Sequence, residues 1–201
     1  MPKKTFHNLT QEKRKRIVNG AKEAFSEKHY NEVTIDTIVN NARISKGSFY
    51  QYFNDKDDLF KYMFHDIGIE KNNELIDEIN KSSDLSFSDM MLKVIARAER
   101  YENKDKETIG LKNRFLVECP QEVKREILMD LMPKSMDLFS RIIEIYIDRG
   151  DFRKDFDLNT AAFIFTSVVL NIDKYELNNE KNHGEVLKNI CDLVETGMKK
   201  C

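Results

Sequence analysis

Residues 34–53 read TIDTIVNNARISKGSFYQYF, and the fold turns on this stretch. It contains two short segments with one apolar side, each preceded by a hydroxyl residue. Thr34 stands before Ile35, Ile38, Val39 and Ala42, which recur at helical spacing and predict a helix over about Ile35–Asn41. Ser45 stands before a second helix over about Lys46–Phe53. A Ser or Thr at such a position accepts a hydrogen bond from an N–H that the first helical turn leaves unpaired. Phe49 and Phe53 are four apart and fall on one side of the second helix. Lys46, Ser48, Tyr50, Gln51 and Tyr52 are distributed around its outer faces.

A short capped helix, a tight turn and a second short helix with polar outer faces make a helix-turn-helix. The first helix braces, and the second enters a major groove about 12 Å wide. The residue types suit that task. Lys46 can donate to phosphate or guanine, the Gln51 amide has the geometry for adenine, and tyrosine hydroxyls donate to phosphate oxygens. Gly47 presents no side chain, so backbone can approach the duplex closely. Thr34 and Lys56 flank the unit at the starts of the helices before and after it. Thr34, Lys46, Gly47, Ser48, Tyr50, Gln51, Tyr52 and Lys56 are therefore the candidate DNA-contacting residues.

Outward from this unit the chain reads as helix almost throughout. Thr10 precedes a helix over Gln11–Glu27, and Asp55 precedes a long one over Lys56–Lys81. Further helices are expected over Phe87–Tyr101, Glu107–Glu118, Gln121–Arg149, Leu158–Glu176 and His183–Met198, with Pro133 inside the third of these. Only 7 glycines and 3 prolines occur in 201 residues, and no long stretch alternates with period two, so strands are not expected. Lys3 and Lys4 read as a flexible arm or a tail. The run Lys13–Arg16 reads equally as a phosphate grip or a solvated helix face.

Charge is divided unevenly. Residues 1–56 carry eleven Lys/Arg against six Asp/Glu, whereas the chain as a whole is at −2. A basic front on an acidic body presents one face to a polyanion. Cys119, Cys191 and Cys201 form no C-x-x-C pair, which fits a reducing, cytoplasmic setting and no disulfide framework. Cys119, just before Pro120, reads as a buried, inert thiol. The longest uncharged run, 158–172, is short of the roughly 20 apolar residues that span a bilayer, so no membrane partner is expected. His7, His29, His65 and His183 are scattered, with no metal-ligand spacing. No nucleophile elbow, phosphate-binding glycine loop or dinucleotide motif is present. Neither metal, cofactor nor catalysis is expected.

The stretches Thr34–Ile38, Ala42–Phe53 and Lys56–Asp57–Asp58–Leu59–Phe60 together resemble the tetracycline-repressor-like (TetR) family. The resemblance covers about the first quarter of the chain. It implies an all-α protein: a three-helix head, a long fourth helix and a C-terminal helical bundle, divided as 1–54 for DNA binding and 55–201 for effector binding and dimerisation. It implies a homodimer on a palindromic operator, most often a repressor released by a small apolar effector. A DNA-bound regulator whose body recruits a protein partner is the alternative. Phe163, Ile164, Val168, Leu187, Ile190 and Val194 are the candidate dimer interface, and the same two helices also carry Leu170 and Leu193. Met90, Phe115, Met132 and Met136 are candidate pocket residues, although helical spacing alone makes most of the Met and Phe residues ordinary core. The chain departs from the family at His29 and Arg43, where glycine is common. A left-handed backbone at either would cost a side chain roughly 1–2 kcal/mol.

Overall fold

The computed structural model describes residues 2–171 and 183–199. Among these it is helical, with one isolated antiparallel bridge between Phe152 and Lys199. The helices are α1 Lys4–His7, α2 Gln11–Glu27, α3 Ile35–Ala42, α4 Lys46–Tyr52, α5 Lys56–Lys81, α6 Phe87–Glu102, α7 Lys106–Asn113, α8 Gln121–Arg149, α9 Leu158–Asn171 and α10 His183–Met198. A 3-10 turn at Tyr30–Glu32 follows α2, and a π turn at Arg114–Glu118 continues α7. The stretch 172–176, expected to prolong α9, lies outside the described residues, as does Cys201.

The hydroxyl and carboxylate caps stand where the sequence puts them. Thr10 accepts from the Lys13 amide at 3.3 Å, Thr34 from Thr37 at 3.1 Å, Ser45 from Ser48 at 3.1 Å and Asp55 from Asp58 at 2.7 Å. Each satisfies one of the amides that a helix start leaves open.

The chain divides into two compact units: Met1–Glu70 with Arg100–Asp130, and Lys71–Glu99 with Leu131–Cys201. In the first, Ile17, Ala21, Phe25, Ile38, Phe49, Phe53 and Phe60 are buried. Phe60 joins the rings of Phe25 at 4.8 Å and Tyr30 at 4.9 Å. Two glycines allow helices to touch backbone to backbone. A Cβ on Gly20 would stand 2.6 Å from the Ala42 nitrogen, and one on Gly110 would stand 2.8 Å from Ser26 Cα. These contacts seat α2 against α3 and α7 against α2.

The second unit is built on Phe87, whose ring meets Tyr146, Phe152 and Phe165 at 5.2–5.4 Å. Around it pack Met90, Met91, Ile142, Ile143, Ala162, Leu187 and Cys191. Tyr146 donates to the Leu85 carbonyl at 2.9 Å, which satisfies its hydroxyl where the ring is buried. Thr166 of α9 is fully buried, and among the described residues its hydroxyl has no hydrogen-bond partner.

Candidate nucleic-acid interface

α4 turns Phe49 fully into the core and leaves Lys46, Gly47, Tyr50 and Gln51 exposed. Tyr50 is 45% exposed, unusual for an aromatic ring with core available behind it, and its ring stands perpendicular to Phe49. Nothing but the Ser45 hydroxyl, at 3.9 Å, comes near a Cβ built on Gly47, so that face of the helix is open. Ser48 is half-buried, with its hydroxyl 2.9 Å from that of Ser45. Thr34 is exposed, its hydroxyl 3.0 Å from that of Thr37.

Charge at this surface is held in exchangeable pairs. The Lys46 ammonium sits 2.9 Å from one Asp36 oxygen and 3.0 Å from the other, and this hydrogen-bonded carboxylate raises the lysine's pKa. Both partners are exposed, so a phosphate can take the place of Asp36 with little loss.

Two residues expected on the outer surface are held differently. Tyr52 is not on the outer face. It is only 5% exposed because the N-terminal segment folds over it, with the Phe6 ring at 6.1 Å and the Lys13 ammonium 5.7 Å over its face. Lys56 is part-buried. Its ammonium donates to the carbonyls of Tyr30 at 2.7 Å and Val33 at 3.1 Å and lies 4.8 Å over the Tyr30 ring, and burial lowers its pKa. This lysine ties the loop before α3 to the start of α5.

The basic run and the two departures from glycine are resolved in the same way. Arg16 donates through Nε to the Ala42 carbonyl at 3.1 Å and so braces the end of α3. Arg43 adopts the left-handed conformation, φ 52° and ψ 50°, whereas His29 is extended at φ −57° and ψ 144°. Only Arg43 carries the backbone penalty foreseen for either position.

Sequence reasoning missed the role of residues 3–6. The segment has no apolar periodicity beyond the single Phe6, so nothing in it announces a docked element. It also missed the ties from residues 114–118. Glu118 accepts the Tyr30 amide at 2.8 Å and lies 3.5 Å from His29 Nε2. Arg114 donates to the Phe25 carbonyl at 3.1 Å and pairs with Glu118. These depend on partners about ninety positions away, which no local pattern reports.

The other candidate sets are placed as follows. Phe163 is 49% and Ile164 44% exposed, and Leu170 and Leu193 are open at 41% and 73%. Val168 and Ile190 are half-buried, but Leu187 lies in the core of the second unit with Val194 packed against it. The apolar stripe of α10 is wide enough to serve two directions, and Leu187 faces inward. Among the pocket candidates, Met90 is core, Met136 packs against that core and Met132 is half-buried in the same unit. Phe115 belongs to the first unit, its ring tilted against that of Phe64 at 4.9 Å. Burial pushes the thiols of Cys119 and Cys191 up to about 11 and about 12, so neither is a ready thiolate. Among the described residues no cluster of three or more His, Cys, Asp or Glu could hold a metal, and no helix is long and apolar enough to cross a membrane.

Comparison with known proteins agrees with this geometry. The family described as "Bacterial regulatory proteins, tetR family" matches residues 17–63. The HTH-type transcriptional regulator HbdR of Aromatoleum sp. (strain CIB) is 45% identical over 55 residues, 27% of this chain and 24% of HbdR, so the chain matches about a quarter of that relative's length. The uncharacterized HTH-type transcriptional regulator YdgC of Bacillus subtilis (strain 168) is 22% identical over 93% of both chains. The fold is shared with the transcriptional regulator FadR from Bacillus subtilis, solved in complex with stearoyl-CoA, at 18% identity and a TM-score of 0.66 over 92% of this chain and 98% of that one. With the capped α3–α4 unit and its open polar face, these similarities give residues 17–63 the helix-turn-helix head of the tetR family and show that the described residues share the all-helical fold of such regulators.

Proposed function

We propose that this regulator is a homodimeric repressor that binds a palindromic operator and releases it on binding a small apolar effector. The division of labour is 1–54 for DNA and 55–201 for effector and dimer. The observation that carries the DNA reading is the open face of α4, where Lys46, Gly47, Tyr50 and Gln51 stand clear of the core at the start and middle of a capped helix. Gln51 reads a base. Lys46, Tyr50 and Thr34 hold phosphates, and Ser48 supports the first turn. Tyr52 and Lys56 serve the interface from behind, Tyr52 by packing under the N-terminal segment and Lys56 by its hydrogen bonds to Tyr30 and Val33.

Dimerisation is supported by the exposed apolar residues Phe163, Ile164 and Leu170 of α9 and Leu193 of α10. A two-fold pair of heads reads half-sites about 34–36 Å apart. Release follows if the effector favours the DNA-incompetent arrangement. The Met-rich second core supplies an adaptable apolar environment for it.

The test is fluorescence anisotropy on a duplex selected by the protein from a random pool. Gln51→Ala is expected to relax preference at one base position by about 1–3 kcal/mol. Lys46→Ala is expected to weaken binding to all duplexes and reduce the salt slope by about 0.9. A uniform loss from Gln51→Ala removes base reading from that residue. Titration with stearoyl-CoA and free fatty acids examines release, and a complex unmoved by any apolar ligand removes the effector from the proposal.

A further inference from the structure

The recognition helix α4 is only seven residues long, so its last turn has a large say in where it lies. The last four carbonyls of a helix have no partner within it. In α4 these belong to Phe49, Tyr50, Gln51 and Tyr52. The first is met by the Phe53 amide at 2.9 Å. The other three are all met by the N-terminal segment. Lys3 Nζ donates to Tyr50 at 2.8 Å, the Thr5 hydroxyl donates to Gln51, and the Lys3 amide donates to Tyr52 at 2.8 Å. Phe6 anchors the segment. It is fully buried, with its ring 4.9 Å from Phe53 and 5.0 Å from Tyr62. The Lys3 ammonium also sits at the negative end of the α4 dipole, where a cation is favoured.

We propose that Lys3–Phe6 is a clamp that positions the recognition helix, and that Lys3 and Thr5 set operator discrimination without touching DNA. The proposal rests on α4 being the base-reading helix. The two exposed residues at the far end of that helix, Tyr50 and Gln51, are the ones whose own carbonyls the clamp holds. Base-edge hydrogen bonds need their donors placed within about 0.5 Å, whereas charge contacts with phosphates tolerate more slack. A loosened helix therefore loses the selected sequence and keeps its general hold on the duplex.

The experiment compares full-length wild type, Lys3→Met, Thr5→Val, the double variant and Lys3→Arg. Each is titrated against a duplex selected by the wild type and against poly(dI-dC) over a range of salt, with thermal melts run alongside. The double variant is expected to lose about tenfold on the selected duplex, on the order of the net value of one or two hydrogen bonds. On poly(dI-dC) it is expected to lose less than about twofold and to keep its salt slope. Lys3→Arg, which retains cation and donors, restores most of the discrimination. Thr5→Val changes no charge and removes one oxygen, so it carries the test should the double variant fail to fold. Equal losses on both duplexes with a shallower salt slope would make Lys3 a phosphate contact and overturn the clamp. Discrimination unchanged in every folded variant would overturn it as well. A wild type that selects no duplex at all is a different result, since it removes the base-reading helix itself.

Discussion

Arg43 occupies a backbone conformation that suits glycine, at the turn between the bracing helix and the recognition helix. Replacing it removes a steric penalty of roughly 1–2 kcal/mol and adds some unfolded-state freedom. Arg43→Gly is therefore expected to raise stability by about 1 kcal/mol in denaturant titrations. An arginine kept here at that expense is consistent with a cation useful to phosphate, so the same variant should bind DNA more weakly at low salt. Lys56 predicts the opposite sign. Its ammonium satisfies the carbonyls of Tyr30 and Val33, and Lys56→Met leaves both without that donor. A loss of about 1–3 kcal/mol is expected in the same assay, measurable without any DNA. A purely phosphate-gripping lysine would leave stability untouched.

At the scale of elements, the contact between α2 and α3 reverses a common rule. Glycine to alanine inside a helix ordinarily stabilises by up to about 1 kcal/mol. At Gly20 the new methyl would press into the Ala42 backbone, so Gly20→Ala is expected to destabilise by about 1–3 kcal/mol and to shift α3. The tie between the π turn and the head predicts a pH effect. Burial alone would raise the Glu118 pKa, but the Tyr30 amide and Arg114 outweigh it and hold it below the ordinary value. A carboxylate depressed in the folded state stabilises above its unfolded pKa, near about 4.3 for glutamate. That stabilisation is lost as pH falls through the lower folded value. Glu118→Gln should flatten acid unfolding in this window, as followed by the fluorescence of the tyrosines or by amide exchange at Tyr30. Helix boundaries were legible because caps and apolar spacing are local: Thr10, Thr34, Ser45 and Asp55 each mark a start within a few residues. The inward turn of Phe49 was legible for the same reason. The burial of Tyr52 and the bracing by Lys56 were not, because each depends on a segment distant in sequence. The continuation of α7 as a π turn was not either, since the turn, which carries the exposed Leu116 and Val117, breaks no local pattern.

For the molecule as a whole, two heads on one duplex are worth more than one by effective concentration, on the order of 10²–10⁴ in affinity. Leu193→Glu and Phe163→Glu place charges on residues that are 73% and 49% exposed in the single chain. Both variants should keep their fold. Sedimentation should show single chains, and operator affinity should drop by a factor in that range, while a variant that stays paired would move the interface elsewhere. The second unit also contains one oxygen that folding serves badly. Among the described residues the buried Thr166 hydroxyl has no hydrogen-bond partner. Valine has the same outline without the oxygen, so Thr166→Val should melt at a higher temperature than the natural chain. Thermal endurance, then, is not what keeps threonine at this position, and laboratory selection for heat resistance should find this substitution early.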